Sequence, residues 1–592
     1  MLAPTMPSAH RLVAALLAFA FSMAACSGRS EPADMVLIGG RVYTLDWPEP
    51  APDGTPSPGA PYDDNHGWQP QAEALAIRDG HIVQIGTTDE VLELRGPGTE
   101  FVDLQGGTVL PGLIDSHVHL AELGASLDRV DLVGADTEID VVARVAARAA
   151  QVPAGEWIEG WGWDEGAWAN RYPDLNRLSE AVPDHPVVLR GLHSFAVWGN
   201  RLALERAGIT GATQAPAGGE ITKDAAGRPT GILTNNATAL LTRAVPPPDP
   251  ARLEARLAHA LETLAAAGYV GVHEAGGDRP TLEALERLDA RDALPIRVYA
   301  MIAARDAELV DEWLARGPRL ARPDSRLVVR AVKSFYDGAM GSRGAYFLED
   351  YSDQPGHRGL GGADYGFDRD RMAAMMRAGF QVTIHAIGDK AVRESLDFFE
   401  AVMRDAPETR ATRPRIEHAQ VVSPADLARF AALGVMASMQ PSHAVEDMPW
   451  AEDRIGPRRI VGAYAWRSLR RAGARLTLSS DLPGTNYDIF YGLHSAVTRQ
   501  NRDRQPPGSW RPEEALRIEE ALRGWTTWAA WTGFEEDRAG IIAVGRPADV
   551  TAFDVDPFVV GKADPGRLLD GRVLLTVAEG RELFNTAAGG RR

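Results

Sequence analysis

The stretch Leu110-Pro111-Gly112-Leu113-Ile114-Asp115-Ser116-His117-Val118-His119-Leu120 decides how the chain is read. An apolar run ends in two histidines one residue apart. Residues i and i+2 of a strand share a face, so the imidazoles of His117 and His119 project to the same side. Two neutral imidazoles converging at a strand end begin a site for a divalent transition metal. A bare His-x-His triplet needs no such explanation. Its place after Pro-Gly, at the end of a buried-looking strand, favours the metal.

Working outward, apolar strand-like runs recur at 109–119, 269–273, 296–302, 327–333, 381–385, 415–418, 435–440 and 475–481. Amphipathic helical periodicity separates them, for example at 252–267, 369–379, 390–404 and 424–433. Eight such alternations predict an α/β fold, a TIM (β/α)8 barrel over 109–540. In such a barrel the reactive residues sit at the C-terminal ends of the strands. Residues 121–250 exceed one crossover and read as an insertion after the first barrel strand, with its own strand at 186–191. The insertion is rich in tryptophan: Trp157, Trp161, Trp163 and Trp168. Those rings either pack the insertion onto the barrel or wall a substrate pocket.

The chain ends look like partners. Residues 35–45 alternate as a strand does, and 74–77, 81–85 and 101–104 follow as short strands, with Asp79-Gly80 as a hairpin turn. Between them 46–70, crowded with Pro, Gly and Asp, reads as a long surface loop. At the far end, 545–554, 573–577 and 581–583 give three more strands, with a turn at Glu579-Gly580. Neither end closes a core alone, so 26–108 and 541–592 are expected to form one β-sandwich domain.

Residues 1–25 stand apart. His10 and Arg11 precede an apolar run, 12–21, too short to span a bilayer but suited to a signal-peptide core. Small residues before Cys26, the only cysteine, resemble a bacterial lipoprotein signal, and a single cysteine forms no intramolecular disulfide. The resemblance implies cleavage before Cys26 and a lipid on it. By the same resemblance Ser27 implies the outer membrane, with the protein facing the periplasm in the cell envelope. The composition of the 592-residue chain is that of a multi-domain globular protein. With 62 basic against 81 acidic residues, a net −19, neither nucleic acid nor anionic membrane is a natural partner. Contact with membrane is expected only through the N-terminal lipid, and the oligomeric state is left open.

Several barrel strands end in residues that bind metal. His117 and His119 close the first, Lys333 the fourth, His385 the fifth, His418 the sixth and Asp481 the eighth. Each alone has a plain structural reading. Together all six fall at one end of the expected barrel. The motifs PGLIDSHVHL, VKSFYDGAMGSRGA, IHAIGD, IEHAQ and SSD resemble the amidohydrolase superfamily, in its amidohydrolase-3 branch with N-substituted formamide deformylase-like proteins. The resemblance covers nearly the whole chain after residue 25. It implies a lysine, Lys333, carboxylated by CO2 and bridging two divalent metal ions, expected to be zinc. His117, His119 and Asp481 would bind the more buried ion, and His385 and His418 the other. Asp481 would act as general base and then acid on a metal-activated water, with a small-molecule amide as the partner. Arg343 and His193 match motif positions that would hold the substrate or an oxyanion, and His273-Glu274, at the end of the second strand, faces the site. The alternatives are a mononuclear deaminase on the same fold and a non-catalytic, lipid-anchored binding protein. Deaminases of the superfamily typically lack the fourth-strand lysine and carry His-Ala-x-x-Glu, where this chain has Ala386-Ile387-Gly388-Asp389 after His385.

Overall fold

The computed structural model describes residues 31–163, 172–191 and 196–587. The expected signal peptide, Cys26, Trp168 and His193 lie outside the described residues.

The opening stretch does not form one strand. Thr108–Pro111 pairs with Arg41–Val42 and Val550–Phe553 in a five-stranded sheet completed by Val573–Ala578 and Arg581–Asn585. After Gly112 the chain turns into the barrel as Leu113–Val118. The residue at the break is glycine, where a Cβ would stand 2.5 Å from Val270 Cγ2. A second sheet has the order His81–Gly86, Ala74–Arg78, Met35–Ile38, Glu100–Asp103. Residues from both chain ends, among them Leu37, Ile77, Val109, Val550 and Leu575, share one buried cluster. Asp79-Gly80 turns with φ of 50° and 76°, and Glu579-Gly580 with 50° and 77°. Such paired positive angles match the twist of the strands they join.

The segment 46–70 is not a free loop. A small hairpin, Tyr62–Asp63 with Gly67–Trp68, is pinned by two buried tryptophans. Trp47 Nε1 donates to Glu519 Oε1 at 2.8 Å, and the Trp68 ring lies 4.6 Å from that of Phe558. Pro and Gly content signals an irregular backbone, but the buried indoles fix it in place.

The barrel strands are β1 Leu113–Val118, β2 Tyr269–Gly277, β3 Arg297–Ala303, β4 Leu327–Phe335, β5 Gln381–Ala386, β6 Arg415–His418, β7 Met436–Met439 and β8 Leu476–Leu478. They form one parallel sheet in chain order, with β1 at the open edge beside β8. The barrel nearly closes there through a parallel bridge between Val118 and Leu482. Helices between the strands cover the outside. Asp249 caps Pro250–Ala266 by accepting from Arg252 N, and Leu253, Leu257, Leu261 and Leu264, spaced at three and four, face the core.

The insertion carries a six-stranded sheet in the order Val130–Asp131, Ile158–Trp163, Val187–Gly191, Ala196–Gly199, Pro229–Asn235, Gly219–Lys223. Trp163 takes neither role expected of it. Its ring is fully buried in the insertion's own core against Trp198, with Nε1 donating to Leu189 O at 3.0 Å. Trp161, on the same strand, is 39% exposed.

Candidate metal centre

The barrel fold brings His117, His119, Lys333, His385, His418 and Asp481 to the rim where β1, β4, β5, β6 and β8 end. His117 is fully buried. Its Nδ1 donates to Glu417 Oε2 at 2.7 Å, which leaves the Nε2 lone pair facing Lys333 Nζ at 3.1 Å and Asp481 Oδ1 at 3.4 Å. A histidine oriented by a carboxylate on its far nitrogen is the usual arrangement of a metal ligand. Glu417 is held in turn by Arg415, whose Nε lies 2.8 Å from Oε1 and whose Nη2 lies 3.0 Å from Oε2. Burial pushes the Glu417 carboxyl up, but Arg415 and His117 outweigh it and leave its pKa well below the ordinary range.

The other ligand types converge on Asp481. His119 Nε2 lies 3.2 Å from Oδ1, and His418 Nδ1 lies 3.9 Å from Oδ2. His418 Nδ1 also meets Gln440 Oε1 at 2.8 Å. The His385 ring stands edge-on to His418, 4.5 Å between centroids. Its Nε2 is buried without a hydrogen bond and lies 3.8 Å from Asp337 Oδ1. Two of the six residues sit in the left-handed region, His418 at φ 73° and Asp481 at φ 61°. Non-glycine residues hold such angles at a cost, which is characteristic of functional sites.

The electrostatics suit a cation. Burial first, then Lys333, pushes His117 down to about 4 and His385 down to about 3, so both imidazoles are neutral at pH 7. Burial also takes His418 well below its ordinary value. Asp481 stays ionised because the surrounding histidines outweigh its burial. Lys333, 1% exposed, has its ammonium destabilised by burial. Among the described residues, His117, His418 and Asp481 each present a ligand atom within 4.8 Å of the others. Neutral nitrogens, an ionised carboxylate and the orphaned His385 Nε2 together fit a divalent metal.

Some residues around the rim were not singled out from sequence. Asp337, in the VKSFYDG motif, is fully buried and accepts from Tyr346 N, Ile387 N and Gly388 N at 2.8, 3.0 and 2.8 Å, tying the loop after β4 to the end of β5. Asp115 accepts from Ser480 N at 3.1 Å and joins β1 to β8. His443, four residues past β7, brings Nε2 to 3.6 Å from Asp481 Oδ2. Their common signal was a polar residue in or beside a strand-end motif. Glu274 does not face the site as a free carboxylate; it accepts from Leu120 N at 2.7 Å and anchors the turn after His119. His273 lies deeper, with Nδ1 3.2 Å from Arg415 Nη1. Arg343 is paired with Asp353 at 2.7 Å, and no contact joins it to the six rim residues among the described residues.

A parallel barrel with histidines and a carboxylate on its C-terminal rim defines a metal-dependent hydrolase of the amidohydrolase superfamily. The chain belongs to the amidohydrolase family, whose profile matches residues 100–584. It is 31% identical over 525 residues to the putative amidohydrolase YtcJ of Bacillus subtilis, covering 87% of this chain and 96% of that protein. It is 29% identical over 527 residues to N-substituted formamide deformylase of Arthrobacter pascens, covering 86% and 94%. The crystal structure of an uncharacterized metal-dependent hydrolase from Pyrococcus horikoshii OT3 aligns with a TM-score of 0.67 at 27% identity, over 90% of this chain and 99% of its own.

Proposed function

We propose that the protein hydrolyses a carbon–nitrogen bond of the amide or formamide type in a small molecule. The observation that carries this reading is Asp481, an ionised carboxylate at the barrel rim with the imidazoles of His117, His119 and His418 gathered around it. His117, His119 and Asp481 would hold one divalent ion and His385 and His418 a second, zinc in both places, with Lys333 between them as a carbamate formed from CO2. Bound ions of this kind supply Lewis acidity that activates water and polarises a carbonyl. Asp481 takes the proton of the attacking water and delivers it to the leaving nitrogen. Burial already favours the neutral amine of Lys333 that reacts with CO2. The formamide deformylase relative supports a formyl or other small acyl group on the substrate nitrogen.

A mononuclear centre is the second reading, favoured by the convergence of only His117, His418 and Asp481 within 4.8 Å among the described residues. Metal analysis of active protein, run beside a screen of formamides and N-acyl amines, separates the two. Two ions per chain with amide hydrolysis supports the first reading; one ion, or deamination alone, replaces it. The two terminal sheets are read as one β-sandwich domain beside the barrel. The chain is further proposed to be tethered to the cell envelope through a lipid on Cys26, facing the periplasm. Cys26→Ser would then move the protein from the membrane fraction to the soluble one, and unchanged fractionation would reject the anchor.

A further inference from the structure

The last residue of the Ile416-Glu417-His418-Ala419-Gln420 motif has no part in the reading above, and neither has His443. The structure joins them. Gln420, buried just beyond β6, has its Nε2 3.2 Å from His443 Nδ1. An amide nitrogen only donates, so His443 Nδ1 accepts and its proton resides on Nε2. That nitrogen points to Asp481, 3.6 Å from Oδ2, too far for a full hydrogen bond. The ring lies nearly parallel to His418, 24° between planes and 5.9 Å between centroids. Asp481 and His443 are both partly exposed, 17% each, so both side chains are open to a molecule at the rim.

His443 is thus a fourth imidazole on Asp481, and the one whose Nδ1 accepts from Gln420. We propose that His443 is a catalytic residue whose Nε2–H donates to the carbonyl oxygen of the bound amide, and that Gln420 is the positioning residue that fixes this tautomer. The bond strengthens as the carbonyl oxygen gains negative charge during attack, which lowers the barrier more than it tightens substrate binding. No proton leaves His443. The proposal rests on the hydrolase reading above.

The test uses the full-length zinc-loaded protein. His443→Ala should keep its zinc content and lose about 10²–10³-fold in kcat, with KM little changed. His443→Gln, which can still donate, should recover part of that loss. Gln420→Leu frees the tautomer and should lower kcat with zinc retained, and it stands in if His443→Ala does not fold. Acetohydroxamate, whose ionised oxygen stands in for the developing oxyanion, gives a readout without turnover: calorimetry should show at least tenfold weaker binding to either variant. Inert wild-type protein that still shows this difference would reject the hydrolase reading alone. Unchanged hydroxamate affinity, unchanged kcat, or loss of zinc from His443→Ala would overturn the donor role.

Discussion

Glu417→Gln removes one negative charge from the chain of contacts linking Arg415 to His117 while keeping the volume of the side chain. All three residues are fully buried. The substituted amide keeps an oxygen to accept from His117 Nδ1, so the direct effect falls on Arg415. That guanidinium loses a carboxylate partner at 2.8 and 3.0 Å but keeps Ser116 O at 2.8 Å and Ser438 Oγ at 3.0 Å. Removing one member of a buried ion pair costs about 3–5 kcal/mol, because the other charge stays buried. The two remaining acceptors place this case at the lower end, about 3 kcal/mol. Urea unfolding of chelator-stripped protein measures that loss. A zinc competition assay should show affinity weakened about 10–100-fold, since the charge that orients the ligand histidine is gone. Pairing the change with Arg415→Met closes a double-mutant cycle, and the double variant should be less damaged than the sum of the singles. A loss under about 0.5 kcal/mol, typical of unimportant surface changes, with unaltered zinc affinity would refute the argument.

Three more outcomes follow from the same structure. Lys333→Ala should abolish turnover and deplete metal measured by mass spectrometry, with acetate restoring part of both by occupying the vacated bridge; near-normal activity would return the mononuclear reading to first place. Gly112→Ala should destabilise by about 1–3 kcal/mol in thermal or chemical unfolding, the usual cost of overpacking, because the new Cβ meets Val270 at 2.5 Å. Trp163→Ala should cost about 3–5 kcal/mol and be read as loss of near-ultraviolet circular dichroism and faster proteolysis within the insertion, with bound metal unchanged; a stable variant with altered substrate preference would contradict its place in the insertion's core.

Much of the barrel was legible in order. Each strand is a short apolar run, a helical period separates it from the next, and a parallel sheet follows from that alternation. His117, His119, Lys333, His385, His418 and Asp481 could be picked out because barrel chemistry concentrates at strand ends. The need for glycine at 112 could not, since nothing local says that Val270, far along the chain, will crowd that position. The same limit hid the pinning of 46–70 by Trp47 and Trp68, whose partners Glu519 and Phe558 come from the other end of the protein.

What the sequence determined by itself was which residue types able to bind a metal stand at the ends of its apolar runs, because periodicity and strand-end position are local properties. What only the tertiary structure decided was the state of those groups. Glu417 fixes the orientation of His117 across 300 residues, Arg343 is drawn away by Asp353, and burial keeps the imidazoles of His117 and His385 neutral. Desolvation and hydrogen-bond partners exist only once distant segments share one interior, so the protonation and tautomer of a site are written in its packing.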